Sequence, residues 1–289
     1  MRKKPAAVLE LENPFANRQH LLRPIDPASI GGRGRTPDVA DGTFRKPFIL
    51  ESGRTRTLHF DFASIQSAMR VDDPDGLCLA YTRKMMAFLL FNATPARLLL
   101  LGLGGGSLAK FCFRRLQSSM ITAVEINPHV LALRETFRVP PDDERFRVVQ
   151  ADAAQYVSRQ ARRKDVILAD ACDANGIAPQ FDSLEFYHCV RNALSDRGIF
   201  VSNLCGEVSC RVSHLAKIRE VFGEPVLLPV RRGHNLVVIA CKESRAQDRA
   251  EDLEADALRL KARFGLEFPR FVRQIARGMA QREDHKASG

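Results

Sequence analysis

The sequence predicts an α/β fold in which a doubly wound, Rossmann-like sheet follows a small N-terminal β segment. Two observations support this prediction. From Arg97 onwards, short apolar segments alternate with segments of helical character, which is typical of a parallel sheet covered by helices on both faces. The first of these apolar segments, Arg97–Leu101, continues directly into a glycine-rich turn with the sequence GLGGGSL. Such a turn is typical of the first strand–helix junction in sheets that bind nucleotides.

Composition excludes several classes of protein. The chain has 289 residues, of which 45% are hydrophobic and 27% charged, as in ordinary globular proteins. No apolar run approaches the roughly eighteen residues that a membrane span requires. The N-terminal stretch MRKKPAAVLELENPF lacks the apolar core and cleavage site of a signal peptide. We therefore expect a cytoplasmic protein with no membrane partner.

Charge and cysteine content constrain the partners and the redox chemistry. The net charge of +10 does not exclude a nucleic-acid partner, although the arginines are spread along the chain instead of forming one stripe. The cysteines are odd in number and show no CxxC spacing: Cys78, Cys112, Cys172, Cys189, Cys205, Cys210 and Cys241. In a reducing compartment this pattern predicts buried free thiols and neither disulfides nor a zinc site.

Three segments are predicted along the chain. Residues 1–44 form a weakly ordered basic segment, because IGGRGRT is rich in glycine and arginine and four prolines precede it. Residues 45–75 form a small β segment, in which PFILES, RTLHFDF and SIQSAMR surround a turn at Ser52–Gly53. Residues 76–289 form the Rossmann-like domain, which opens with a helix over Leu77–Phe91 that ends before Pro95.

The elements of the large domain follow in regular order. Five strands are predicted at Arg97–Leu101, Ile121–Glu125, Phe146–Gln150, Asp165–Ala169 and Gly198–Asn203. Helices begin near Ser107, Pro128, Ala153, Ser183 and Ser209. A hairpin over Pro225–Val230 and Asn235–Ala240 follows, and helices over Gln247–Phe264 and Phe268–Gln281 end the chain. Five alternating units closed by a hairpin match the seven-stranded sheet of the methyltransferase type.

The predicted nucleoside site lies where strands end, because ligands of open α/β sheets bind beyond the carboxyl ends of the strands. Glu125 ends the second strand, where a carboxylate can accept hydrogen bonds from both hydroxyls of a ribose. Asp152 follows the third strand and, with Ala153, opens the next helix; it can cap that helix and accept a bond from an adenine amino group. After the first strand, glycines allow the backbone to approach a ligand closely: Gly102, Gly104, Gly105 and Gly106.

The loop after the fourth strand indicates the reaction. It begins at Asp170 and carries a second aspartate, Asp173, in the sequence DACDANG, and a helix with an FY pair follows. Gln66 precedes the core, and Tyr81 lies in the helix before the first strand. Over about residues 48–203 these motifs resemble the polyamine aminopropyltransferases, the spermidine synthase family.

The resemblance implies an aminopropyl transfer. In this reaction an amine attacks a carbon next to the sulfonium of decarboxylated S-adenosylmethionine, methylthioadenosine leaves, and a diamine such as putrescine becomes spermidine. The nucleoside is then a co-substrate, with no tightly bound cofactor and no metal, and the N-terminal β segment offers a homodimer contact. The resemblance implies roles for six residues: Asp170 as general base, Asp173 and Tyr81 as amine-side binding groups, and Gln66, Glu125 and Asp152 as nucleoside ligands.

Two alternatives stay open at this point. Members of the family carry GGGDG, whose aspartate binds the aminopropyl amine, whereas this chain has Ser107 there. The sequence Thr82–Arg83–Lys84 is basic where the family carries an acid. The first alternative is therefore a methyltransferase on the same fold, because intact S-adenosylmethionine has a carboxylate that an aspartate would repel. The second is a nucleoside-binding protein without catalytic activity.

Overall fold

The computed structural model describes residues 23–24, 44–62, 64–161, 163–173, 176–230, 235–243 and 250–287. Within these residues it confirms an α/β fold with a seven-stranded sheet and a smaller N-terminal sheet. The predicted weakly ordered segment 1–44 lies outside the described residues, apart from positions 23, 24 and 44. The boundaries proposed for the three domains stay predictions.

The N-terminal sheet is antiparallel and has four strands in sequence order. These are β1 (Arg23–Pro24), β2 (Phe48–Ser52), β3 (Thr55–His59) and β4 (Ser67–Arg70). A turn at Gly53, where φ is +57°, joins β2 to β3 at the position that the sequence predicts. The inward residues Ile49, Leu58 and Met69 are almost fully buried and join the core of the large domain.

The helix predicted over Leu77–Phe91 is shorter than expected. Helix α1 covers only Ala80–Met85 and continues as a 3-10 helix over Met86–Leu90. All five residues of the 3-10 helix are buried in the hydrophobic core. Short 3-10 turns are common at the ends of α-helices. They stay short because the side chains of residues i and i+3 are eclipsed in this tighter helix.

The large sheet has the strand order β12-β13-β11-β8-β5-β6-β7. Every neighbouring pair is parallel except those of β13, which runs antiparallel to both β11 and β12. The predicted hairpin is therefore confirmed, while its turn at residues 231–234 lies outside the described residues. The strands are β5 (Arg97–Leu101), β6 (Met120–Glu125), β7 (Phe146–Gln150), β8 (Lys164–Ala169), β11 (Leu194–Leu204), β12 (Val226–Pro229) and β13 (Leu236–Cys241).

Helices cover both faces of this sheet. Alternate side chains of β5 enter two separate cores, with Leu98 and Leu100 on one face and Leu99 and Leu101 on the other. The helices are α2 (Ser107–Arg115), α3 (Pro128–Leu131), α4 (Ala153–Ser158), α5 (Leu184–Ala193), α6 (Val208–Phe222), α7 (Ala250–Phe264) and α8 (Phe268–Ala287). Among the helices described, none combines the length and apolar content that crossing a membrane requires.

The starts of three helices are set by capping side chains, close to the residues predicted. Asn127, Asp152 and Ser183 each accept a hydrogen bond from a backbone N–H in the first turn of the helix that follows, at 2.9, 2.9 and 3.1 Å. Such caps satisfy N–H groups that have no partner within the helix. The predicted helix at Gln247 begins in a stretch outside the described residues, and α7 is described from Ala250.

One element was not predicted, and it overturns the expectation about the cysteines. Between β8 and α5 the chain forms a short ribbon of β9 (Cys172–Asp173) and β10 (Gly176–Ile177). Cys172 forms a disulfide bond with Cys205, which follows β11. The prediction that all cysteines are free thiols is therefore wrong for this pair. Neighbouring parallel strands bring together two residues that lie 33 positions apart, and CxxC spacing does not report such contacts.

Candidate active site

The predicted site residues meet at the C-terminal edge of the large sheet, where β5, β6, β7, β8 and β11 end. Backbone hydrogen bonds join the loops that leave these strands. Gly102 N donates to Val124 O at 2.9 Å, and Ala151 N donates to Glu125 O at 3.1 Å. Asp170 N donates to Leu101 O, also at 2.9 Å. The glycine turn, the predicted ribose carboxylate and the aspartate loop are thus held in one layer.

Two of the four glycines lie at the surface of this edge. Gly102 and Gly104 are partly exposed and have positive φ angles of +99° and +53°. A Cβ on Gly102 would lie 2.3 Å from the carbonyl oxygen of Asp170, so a side chain there would displace the aspartate loop. At Gly104 the nearest atom is the Cβ of Ser67 at 3.9 Å. The absence of a side chain at Gly102 lets the aspartate loop pack against the glycine turn, and the assignment of both glycines to the nucleoside stays a prediction.

The other two glycines are buried and lie close to other parts of the protein. A Cβ on Gly105 would lie 2.7 Å from Ser67 Oγ. A Cβ on Gly106, where φ is +70°, would lie 2.4 Å from a methyl group of Val139. Their contacts are with protein, whereas the prediction gave both of them to the nucleoside. Their contribution to the site is to let the start of α2 approach β4 and residues 137–139.

Ser107, which motivates the methyltransferase alternative, contacts the N-terminal sheet. Its side chain is buried, and its hydroxyl donates to Ala68 O at 3.3 Å and lies 3.2 Å from Ser67 Oγ. Both partners belong to β4. The serine therefore anchors α2 to the N-terminal sheet.

The side chain of Glu125 is hydrogen-bonded to the backbone of the glycine turn. One carboxylate oxygen accepts the N–H groups of Leu103 and Gly104, at 3.0 and 3.4 Å, and the other accepts that of Asn127 at 2.9 Å. A carboxylate offers about four lone-pair sites, so three backbone donors leave room for one further donor. The half-exposed carboxylate is thereby fixed in orientation at the end of β6.

Asp152 caps α4 as predicted, while its role toward adenine stays a prediction. Its Oδ1 accepts the backbone N–H of Gln155 at 2.9 Å and caps α4, and no hydrogen bond is described for Oδ2. Ala153 is the first residue of α4, and the N–H groups of a first turn have no partner within the helix. The carboxylate of Asp152 and the N–H of Ala153 can therefore offer an acceptor and a donor side by side. This arrangement complements the amino donor and the ring-nitrogen acceptor on an edge of adenine.

Asp170 has the most perturbed carboxylate of this edge. Asn203 Nδ2 donates to its Oδ1 at 2.9 Å, and the hydroxyl of Tyr81 donates to the same carboxylate. Burial nevertheless dominates over these two bonds and raises the pKa of Asp170 to about 6. Burial and the neighbouring negative charge also raise the pKa of Tyr81 well above its ordinary value, so this phenol stays a donor. Such a carboxylate exchanges a proton near neutral pH, as a general base requires.

The two remaining predicted residues are less fully placed. For Asp173 the backbone pairs with Gly176 in the β9–β10 ribbon, and its side chain lies outside the described part of the structure. Gln66 immediately precedes β4, and its backbone N–H donates to Leu58 O at 2.9 Å. No described hydrogen bond engages the partly exposed amide of Gln66, which leaves it available to a ligand.

Sequence reasoning missed an asparagine pair behind Asp170. Asn203, only 3% exposed, donates to Asp170, and its own Oδ1 accepts Asn235 Nδ2 at 2.9 Å. Asn235 thus sets which end of the Asn203 amide faces the carboxylate. The signal was available for Asn203, because it lies near the carboxyl end of β11, where ligands of such sheets bind. Across the described residues, no group of three His, Cys, Asp or Glu side chains is placed to hold a metal ion.

Comparison with known proteins identifies the family. The family model of the spermine/spermidine synthase domain matches residues 78–221. A polyamine aminopropyltransferase of Chromobacterium violaceum is 37% identical over 239 residues, which cover 82% of this chain and 92% of that protein.

Solved structures show the same fold in two kinds of protein. A spermidine synthase in complex with the transition-state analogue AdoDATO superposes with a TM-score of 0.60 at 18% identity, covering 80% of this chain and 84% of that one. Human methyltransferase-like protein 13 in complex with SAH superposes with a TM-score of 0.56 at 25% identity, covering 68% and 93%. The fold is thus common to both reactions, while the long match to the Chromobacterium relative discriminates between them: the chain belongs to the spermine/spermidine synthase family of transferases.

Proposed function

We propose that this protein transfers an aminopropyl group from decarboxylated S-adenosylmethionine to a diamine such as putrescine and releases methylthioadenosine. The observation that carries the proposal is the environment of Asp170. This carboxylate is buried between Tyr81 and Asn203, has its pKa raised to about 6, and touches the glycine turn through its backbone. Membership of the family supports the choice of substrates.

The proposed chemistry needs alignment of the reactants and one proton transfer. The lone pair of the amine attacks the carbon next to the sulfonium, the carbon–sulfur bond breaks, and its electrons neutralise the sulfur. The attacking nitrogen must first lose the proton of its ammonium form, and Asp170 is the base in reach of the acceptor side. Holding the two substrates at one edge of the sheet supplies the remaining rate acceleration, since alignment alone lowers a bimolecular barrier by about 7–11 kcal/mol.

We assign the nucleoside side of the site to Glu125, Asp152, Ala153, Gly102 and Gly104. Glu125 would accept a hydrogen bond from a ribose hydroxyl, and Asp152 with the Ala153 N–H would bind the adenine edge. Gln66 would contact the nucleoside from β4. On the amine side, Asp173 and Tyr81 would flank Asp170, so that a diamine meets negative charge despite the basic composition of the chain.

The test is a direct assay of the purified protein. With decarboxylated S-adenosylmethionine and putrescine we expect release of methylthioadenosine and formation of spermidine, and Asp170→Asn should abolish both while nucleoside binding persists. Calorimetry measures the dissociation constants for intact and for decarboxylated S-adenosylmethionine. Tighter binding of the decarboxylated form supports aminopropyl transfer, whereas tighter binding of the intact form supports the methyltransferase alternative. Nucleoside binding without turnover of any amine would instead identify a non-catalytic binding protein.

Location and partners belong to the same proposal. We place the protein in the cytoplasm and expect a homodimer formed through the N-terminal sheet. The partly exposed residues of β2 and β3 offer a surface for such a contact. The net charge of +10 leaves a nucleic-acid partner open. Light scattering measures the oligomeric state, and a filter-binding assay at two salt concentrations measures any affinity for nucleic acid.

A further inference from the structure

The disulfide bond lies inside the candidate active site. Cys172 belongs to the loop between Asp170 and Asp173, and Cys205 follows Asn203 by two residues. The bond therefore ties the β9–β10 ribbon to the end of β11. Both cysteines are partly exposed, so a solution oxidant or reductant can reach them. In intracellular proteins such a bond is usually transient, either catalytic or redox-sensing.

The sulfur of Cys172 also touches the residue that orients the base. Its Sγ lies 3.8 Å from Asn203 Nδ2 and 4.0 Å from Asn203 O. The same Nδ2 donates to Asp170 at 2.9 Å. When the bond is reduced, the covalent link between the ribbon and residue 205 is lost, so the Cys172 sulfur can move relative to Asn203. This movement acts on the surroundings of Asp170.

We propose that Cys172 and Cys205 form a site of reversible thiol oxidation that controls amine binding. In the disulfide form the ribbon is fixed against β11, so the amine side is ordered before the substrate arrives. In the dithiol form the ribbon must be ordered when the amine binds. Since fixing one backbone residue costs about 1–2 kcal/mol, we expect the KM for putrescine to be roughly tenfold higher in the reduced enzyme. The proposal rests on the aminopropyl transfer proposed above.

The oxidation is balanced with a peroxide as the oxidant. The thiolate of one cysteine attacks a peroxide oxygen, becomes a sulfenic acid and releases water after proton uptake. The thiolate of the second cysteine attacks that sulfur, the S–S bond forms, and a second water leaves. Two thiols and one hydrogen peroxide thus give one disulfide and two waters. A dithiol reductant reverses the step by exchange.

The nucleoside side should not respond. Glu125 and Asp152 are held by backbone donors of the glycine turn, of residue 127 and of α4, and no described hydrogen bond joins either carboxylate to the described residues of the ribbon. The dissociation constant for methylthioadenosine should therefore be the same in both redox forms. A response confined to the amine distinguishes this mechanism from general loosening of the fold.

The experiment compares the full-length protein after reduction with dithiothreitol and after oxidation with hydrogen peroxide. Alkylation and peptide mass spectrometry should show the Cys172–Cys205 peptide only in the oxidised sample. We expect the KM for putrescine to rise about tenfold on reduction and to return on reoxidation. Cys205→Ser should behave as the reduced enzyme in both treatments, while Cys189→Ser, which removes a free thiol on α5, should respond like the wild type.

The outcomes separate the two proposals. Equal KM values in both forms, or a disulfide that pairs either cysteine with Cys210, would overturn the redox proposal while leaving the aminopropyl transfer intact. Absence of turnover in both forms would instead overturn the proposed function. The reduction and reoxidation of the wild type need no variant, so poor folding of Cys205→Ser does not affect the conclusion.

Discussion

Removing the amide of Asn203 should shift the pH dependence of the reaction. Burial raises the pKa of Asp170 to about 6. Asn203 Nδ2 opposes this effect, because it donates to Asp170 Oδ1 at 2.9 Å and stabilises the ionised carboxylate. Asn203→Ala deletes this donor without adding charge. The pKa of Asp170 must then rise further, because the bond favoured only the charged form.

The size of the shift follows from the strength of the bond. A hydrogen bond to a charged group is worth about 1.5–3 kcal/mol, and one pKa unit corresponds to about 1.4 kcal/mol. The acidic limb of kcat/KM should thus move from about pH 6 to about pH 7–8. At pH 7 the ionised fraction falls from about nine-tenths to between one-half and one-tenth, so kcat/KM drops roughly two- to tenfold. At pH 9 the variant should regain the wild-type rate.

The assay is release of methylthioadenosine at limiting putrescine between pH 5 and pH 9, because kcat/KM reports the pKa of the free enzyme. Ser202→Ala is the matched control. Ser202 is the neighbouring buried polar residue of β11, only 4% exposed, and its side chain points to the opposite face of the sheet. A loss of activity in Asn203→Ala that persists at pH 9, or an unchanged acidic limb, would refute the reasoning.

Two further predictions concern stability. Burial raises the folded-state pKa of Asp170 from 3.8 to about 6, so the wild type loses stability as pH rises from about 4 to about 6. Asp170→Asn removes this loss, so its free energy of unfolding, measured in urea, should exceed that of the wild type by up to about 3 kcal/mol at pH 8 and by much less at pH 4. An equal gain at both pH values would contradict the argument. Gly102→Ala should lower both the melting temperature and the activity, because its Cβ would lie 2.3 Å from the Asp170 carbonyl. The matched control is Gly53→Ala, because Gly53 also has a positive φ but no atom lies within 4 Å of its added Cβ. This variant should lose only about 1 kcal/mol of folding free energy and keep full activity. Equal effects of the two substitutions would show that the steric contact at Gly102 is unimportant.

The regular part of the fold was predictable because local patterns determine it. The four leucines of β5 and the cap at Asp152 set a strand and a helix start within the printed sequence. The misses arise where distant contacts decide the structure. Strand β11 begins at Leu194, four residues before the predicted start, because an irregular register lets Leu194 pair with Lys164 before the regular pairing resumes at Ile199.

The candidate site follows the same division. Strand ends place Glu125, Asp152 and Asp170 at one edge, since parallel strands bring their carboxyl ends together. Sequence alone did not separate the partly exposed glycines from those buried against other residues, because the partner of Gly106 is Val139, more than thirty residues away. The disulfide and the Asn203–Asn235 pair depend on the register between β8, β11 and β13, which no local motif reports.

The carboxylates of Glu125 and Asp170 lie at the same edge of the sheet but have different hydrogen-bond partners. This difference explains how one set of loops can bind both substrates in the proposed function. Glu125 is bonded to three backbone N–H groups, whose positions are fixed by the glycine turn and by residue 127. Asp170 is bonded to side chains, Asn203 and Tyr81, and is buried enough for its pKa to rise to about 6. A carboxylate held by the backbone is fixed in orientation for a hydrogen bond from a ribose hydroxyl, whereas one held by side chains in a poorly solvated place suits proton exchange. Because Gly102 lies against the Asp170 carbonyl, the two environments meet without an intervening side chain, and in the proposed function this junction is where the amine would meet the reacting carbon.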